Sequence, residues 1–189
     1  MPACGQLKRG LSRPCQPAAG GLDIQLVLIP KSFIAGAVRN ATMRKAVALS
    51  LSAGKKGFLF LGIGDSNIGR ATLNPGKYGP KYTHEVDFAN FSNDPLNLET
   101  VEDLGKDPVV AVVPANDGFY KIYGLGAGLK LIKDAADTSN ADIGAGSELT
   151  LSSDKEGGRE DLLWVADTEG LYDPIATKAL FETLFDAAA

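Results

Sequence analysis

Three glycines in five residues, Gly124, Gly126 and Gly128, form the stretch of this sequence that most resembles a nucleotide-binding loop. A dinucleotide loop follows a strand, has the spacing G-x-G-x-x-G and opens a helix that receives the phosphate. Here the spacing is G-x-G-x-G, and the following LKLIKD is typical of a strand. Residues 54–56 (GKK) lack the upstream glycine of a Walker motif. We therefore expect the three glycines to form a tight turn or bulge between strands, with no cofactor bound there.

Metal ligands are few in this chain. Its two cysteines, Cys4 and Cys15, and its single histidine, His84, are too few and too far apart for a zinc site, which usually needs four closely spaced ligands. One loop could offer oxygen ligands to calcium, but its spacing is not that of an EF-hand. We expect that loop to be solvated and predict no metal site; its candidate residues are Asp134, Asp137, Asn140 and Asp142.

His84 is the one candidate for a general base. Catalysis would require a nucleophile and an orienting acid beside it. The histidine lies on the apolar face of an alternating strand, between Tyr82 and Val86, so we expect a packed or interface histidine. A carboxylate pair for glycoside hydrolysis needs no proximity in sequence, which leaves that class open. An aromatic content of 7%, with Trp164 the single tryptophan, disfavours a sugar-binding cleft, and we predict no catalytic residue.

Charge and composition restrict the class of protein further. The 189 residues carry a net charge of −4, which argues against a protein that grips nucleic acid through its phosphates. No apolar stretch approaches the ~20 residues of a membrane span. The first residues lack the apolar core of a signal peptide, so we expect production and assembly in a cytoplasm. In a cytoplasm, Cys4 and Cys15 would be free thiols. The alternative is a disulfide between them, if the mature particle leaves the cell.

The elements that must position these residues are mainly β-strands. Residues 81–91 alternate cleanly, with His84 and Phe88 on one face and Glu85 and Asp87 on the other, which predicts a half-buried antiparallel strand. Residues 64–80 hold four glycines and predict a long exposed connection or an extended hairpin. Further short β-prone runs occupy 23–29, 45–52, 57–63, 108–114, 119–124, 128–134, 147–153 and 162–167.

Two short helices are expected among these strands. Asp94 and Pro95 suit a helix start and Gly105 its end, which predicts a helix over about 95–104 with Leu98, Val101 and Leu104 on its apolar face. A second helix follows Asp173-Pro174, with an apolar face of Leu180, Phe181, Leu184 and Phe185. With about ten strands, adjacent in sequence, the pattern predicts an antiparallel β-sandwich or partial barrel with short flanking helices. Residues 1–20 form an extended N-terminal arm and residues 21–189 a single β-sandwich domain.

The order of these features resembles that of the tail-tube (major tail) subunits of tailed phages. The resemblance lies in the opening Cys4…Cys15…Gly20-Gly21, the charged alternating strand before a short helix, the hairpin VVAVVPANDGFYKIYGLGAGL, the late strand SELTLSS and a C-terminal helix. It spans nearly the whole chain, and no single motif in it is diagnostic. The long connection at 64–80 departs from the most compact members of that family.

The resemblance implies a structural virion protein without catalytic residues, cofactor or metal. Its subunits would form hexameric rings that stack into a tube, with one sheet of each subunit lining a lumen for DNA ejection. Its partners would be further copies of itself and other phage tail proteins, with DNA passing unbound. It would be located in the virion tail after assembly in the host cytoplasm. Alternatives are a head–tail connector or tail-terminator ring protein, or a β-sandwich carbohydrate-binding or adhesion module; an enzyme with scattered carboxylates is a third class.

Overall fold

The fold is mainly β, as the sequence predicts. A computed structural model describes residues 21–43, 45–63, 66–77, 79–91, 94–136 and 146–186. Within these ranges lie eleven strands and two α-helices. The strands are β1 Gln25–Pro30, β2 Ile34–Arg39, β3 Ala46–Leu51, β4 Phe58–Leu61, β5 Ile68–Asn74, β6 Lys81–Asn90, β7 Val109–Pro114, β8 Tyr120–Tyr123, β9 Lys130–Ala136, β10 Ser147–Glu156 and β11 Asp161–Leu163; the helices are α1 Pro95–Leu104 and α2 Pro174–Thr183.

The strands form two sheets. Seven of them, in the order β2-β3-β11-β8-β7-β1-β4, make a curled mixed sheet that forms a half-barrel. Its one parallel pair among the described strands is β11 with β3, where Leu162 lies opposite Ala46. The other four strands make an antiparallel sheet in the order β5-β6-β10-β9.

Apolar side chains form two clusters, one on each face of the seven-stranded sheet. One cluster fills the space between the sheets, where Leu28 and Ala111 meet Val86 and Leu149 of the four-stranded sheet. The other cluster packs the opposite face against α2 and includes Phe181. Strand β7 is accordingly buried on both sides, whereas β6 alternates between buried and partly exposed residues. The four-stranded sheet therefore has a second, polar face that none of the described elements covers.

The strand predictions are largely confirmed, with two differences. The segment 64–80 contains β5, which pairs with β6, so the hairpin interpretation is correct. Strand β2 was not expected, because its small residues Ala35, Gly36 and Ala37 give no alternating pattern. The last strand ends at Leu163 rather than 167, because the chain then turns back.

Both helices begin where their capping residues predict. The carboxylate of Asp94 accepts hydrogen bonds from the N–H groups of Leu96 (3.0 Å) and Asn97 (3.1 Å), and Asp173 caps α2 in the same way. The expected apolar face of α1 is wrong at one position: Val101 and Leu104 are buried, but Leu98 is 47% exposed. The inward face passes instead through the partly buried Asn97 and the buried Val101 and Leu104, spaced by four and three residues.

Candidate functional site

The three glycines form a tight turn between β8 and β9, as predicted. Gly124 (φ +75°) and Gly128 (φ +86°) both adopt left-handed backbone angles, which strain any residue with a Cβ. The Gly128 N–H donates to the Gly124 carbonyl at 2.8 Å and closes the turn. A strand follows it directly, so the helix N-terminus that a dinucleotide site requires is missing here.

The turn nevertheless holds an anion, which is the protein's own Glu156 carboxylate. The N–H groups of Gly126 and Ala127 each donate to one of its oxygens at 2.9 Å, and the Ser153 hydroxyl donates to it at 3.2 Å. Glu156 is only 4% exposed, and a Cβ on Gly126 would collide with its carboxylate. The backbone donors that would receive a phosphate are therefore occupied by a side chain from β10.

His84 lies next to this turn and is 2% exposed, which confirms a packed histidine. Its Nδ1 accepts the Gly124 N–H at 3.1 Å, and its Nε2 lies 2.9 Å from the Gly158 carbonyl oxygen. This pattern assigns the ring proton to Nε2, which donates to Gly158. The ring also packs edge-on against Tyr123, with 5.8 Å between centroids. Both ring nitrogens are thus hydrogen-bonded to backbone groups, so His84 is poorly placed to act as a base.

Serine, histidine and glutamate meet at this cluster without forming a catalytic triad. Ser153 lies directly opposite His84 in the β6–β10 register. However, its hydroxyl bonds to Glu156, while the histidine bonds to the backbone. A triad requires the histidine to bond both the nucleophile and the acid. We name Glu156, Ser153, His84 and the turn 124–128 the glycine-turn cluster. Its hydrogen bonds connect β6, β8 and β10.

Basic side chains near the glycine-turn cluster also bond to protein acceptors. Lys31 donates through Nζ to the Gly126 carbonyl. Arg39 on β2 makes a bidentate ion pair with the buried Asp161 of β11, at 2.7 and 2.9 Å, and the pair raises the pKa of Arg39. Lys45 lies 3.3 Å from the same carboxylate. The two interactions of Asp161 tie the short β11 to β2 and to the residue before β3.

Sequence reasoning missed Glu156 and Ser153, because their segment SSDKEGG has the composition of an ordinary exposed turn. Of the calcium candidates, Asp134 lies on β9, while Asp137, Asn140 and Asp142 fall outside the described residues, as do Cys4 and Cys15. Within the part of the chain that the structure describes, no group of three His, Cys, Asp or Glu residues could hold a metal ion. In the same part, no helix is long and apolar enough to cross a membrane.

The free edges of the two sheets differ in chemistry. Of the edges of the four-stranded sheet, β9 carries Lys130, Lys133 and Asp134 and has a register shift against β10, and β5 carries Arg70 between the exposed Ile68 and Leu73. By contrast, β4 at one edge of the seven-stranded sheet reads FLFL, with Phe58 53% and Leu61 54% exposed. The opposite edge, β2, exposes 71% of Val38. Natural sheets usually protect free edges with charge, proline or bulges, and β4 has none of these.

Comparison of the chain with protein-family models, with curated proteins and with solved structures gave no match. The resemblance to tail-tube subunits therefore stays a prediction.

Proposed function

We propose that this chain is a structural subunit that assembles with copies of itself into rings, stacked as the tail tube of a phage around a lumen that conducts DNA. Six subunits per ring is the number that the tail-tube resemblance implies. The observation that carries the proposal is the unprotected edge strand β4. Its outward backbone groups and its exposed Phe58 and Leu61 gain partners when a neighbouring subunit pairs with it.

A second observation supports a surface that faces DNA without binding it. On the uncovered face of the four-stranded sheet, Arg70 pairs with Glu85 (2.7 Å) and with Asp87, and Lys133 pairs with Glu148 (2.9 Å). A cation that already pairs with a carboxylate attracts phosphate weakly. Such a face suits the wall of a channel through which DNA must slide.

Electron microscopy of the purified protein tests the assembly. We expect rings or tubes from the natural sequence. Phe58→Lys and Leu61→Lys should abolish them, because a charge on each face of β4 opposes pairing along its edge. Sedimentation velocity should show these two variants as folded monomers.

Ile175→Lys is the matched control, since it places the same charge at an 81% exposed apolar position on α2, away from the sheet edges. We expect it to assemble normally. A natural chain that stays monomeric at high concentration would refute the proposal, and assembly by both β4 variants would refute the role of this edge.

A further inference from the structure

A groove runs between α1 and the β1–β4 corner of the seven-stranded sheet. Its volume is about 430 Å³, and its floor is apolar. Leu28, Leu104 and Val109 are buried at its base, and Phe58 stands on its rim, 53% exposed. An apolar groove of this size beside exposed aromatic area is typical of a binding surface.

One wall of the groove is acidic. Residues 94–107, which contain α1 and the turn after it, carry five carboxylates against one lysine. Asp103 and Asp107 line the groove itself. The lysine, Lys106, lies 2.6 Å from Asp103, and Lys55 sits over the ring of Phe33, a residue that lines the groove. An occupant of this groove therefore needs apolar side chains for the floor and positive charge on the α1 side.

Residues 1–20 of the chain combine apolar side chains with positive charge. They contain Lys8, Arg9 and Arg13 and no acidic residue, with Leu7 and Leu11 on either side of the first two. The segment lies outside the described residues, and the described chain begins at Gly21.

Residues 1–20 are also long enough to reach the groove from Gly21. Gly21 lies beside Asn116, whose N–H donates to its carbonyl, whereas Pro30 at the other end of β1 lines the groove. These nine residues of extended chain correspond to ~30 Å. Leu7 and Leu11 come fourteen and ten residues before Gly21, a reach of ~33–46 Å when extended. The segment can therefore return along the sheet and place its apolar and basic residues at the groove.

We propose that residues 1–20 dock in the groove of the same chain, with Leu7 and Leu11 on its apolar floor and Lys8 and Arg9 toward the carboxylates of α1. The inference does not depend on assembly into rings, since it concerns contacts within one chain.

Disulfide trapping in the full chain tests whether residues 1–20 dock in the groove. Cys15→Ser leaves Cys4 as the one natural thiol, and Thr100→Cys places a second thiol in the groove. On mild oxidation we expect a disulfide within one chain, formed at least tenfold faster than with Lys178→Cys on α2 in the same background. Lys8→Glu with Arg9→Glu, or 0.5 M salt, should slow it several-fold, because both weaken the attraction to the α1 wall.

Non-reducing gels and mass spectrometry of the linked peptides give the readout. Equal rates for the Thr100→Cys and Lys178→Cys proteins would overturn the proposal. A disulfide that appears only in a dimer band would overturn it too, since the occupant would then be a second copy. Lys106→Cys, at a 70% exposed position on the same groove, provides a second groove thiol if Thr100→Cys does not fold.

Discussion

At the scale of single residues, Glu156 is a carboxylate that is only 4% exposed. A carboxylate that is buried normally costs stability unless its oxygens are hydrogen-bonded. Here two backbone N–H groups and the Ser153 hydroxyl satisfy it. The bonds are mutual, because Glu156 supplies the acceptor for the N–H groups of the exposed Gly126 and the partly buried Ala127.

We therefore expect Glu156→Ala to lower the free energy of unfolding by about 1–3 kcal/mol, since it removes three hydrogen bonds to one buried carboxylate. Glu156→Gln should cost less, because its amide keeps one acceptor oxygen. Urea unfolding followed by circular dichroism measures both. Glu182→Ala on α2 removes an exposed carboxylate 3.8 Å from Lys178 and should change stability by less than about 0.5 kcal/mol. Equal effects of Glu156→Ala and Glu182→Ala would contradict this account.

At the scale of elements, the turn 124–128 decides how β8 leads into β9. Its left-handed glycines loop the chain out for five residues and bring Leu129 beside Val109, where their backbones exchange hydrogen bonds of 2.9 and 2.7 Å. Leu129 thereby continues the antiparallel pairing of β8 with β7. A Cβ on Gly124 would lie 2.9 Å from the Leu129 nitrogen. Since that neighbour is backbone, it cannot move aside as a flexible side chain would.

Gly124→Ala should accordingly destabilise the protein by about 1–3 kcal/mol through backbone strain and this collision. Gly157→Ala is the matched control, because nothing lies within 4 Å of its added Cβ and its φ is not left-handed. We expect the control to be neutral or slightly stabilising. Thermal unfolding of the two variants side by side makes the comparison. Similar losses of stability in both would show that the geometry of the turn does not cause the loss in Gly124→Ala.

At the scale of the whole molecule, Tyr123 joins the two sheets. It belongs to β8, its ring lies against Gly69 of β5, and it packs on His84 of β6. Burial raises the pKa of its hydroxyl well above the ordinary value of 10.0, with Glu160 adding to the effect. The folded state thus keeps a proton that the unfolded state releases, so this contribution to stability is complete below about pH 10 and falls as pH rises further.

The free energy of unfolding should therefore decline as pH rises above about 10, and Tyr123→Phe should reduce the slope of that decline. Lysine side chains also titrate in this range, so the difference between the two proteins is the quantity to measure, by urea unfolding at each pH. An unchanged slope in Tyr123→Phe would show that burial of this hydroxyl does not cause the decline.

Local patterns in the sequence were enough to predict most of the fold. Alternation placed His84, Val86 and Phe88 on the buried face of β6, and the Asp-Pro pairs located both helix starts. These features depend on neighbouring residues alone. The small residues of β2 give no such pattern, and that strand exists because it pairs with β3.

The sequence by itself determined that this protein is mainly β and that its three glycines turn the chain instead of opening a helix. The tertiary structure decided what the turn holds, because Glu156 lies some thirty residues away in the chain and reaches Gly126 only once β10 has paired with β6. It also decided which strands remain as free edges, since strand order depends on long-range pairing that no local pattern encodes. For the same reason the groove beside α1, and the edge of β4 next to it, could not be predicted from the residues that form them.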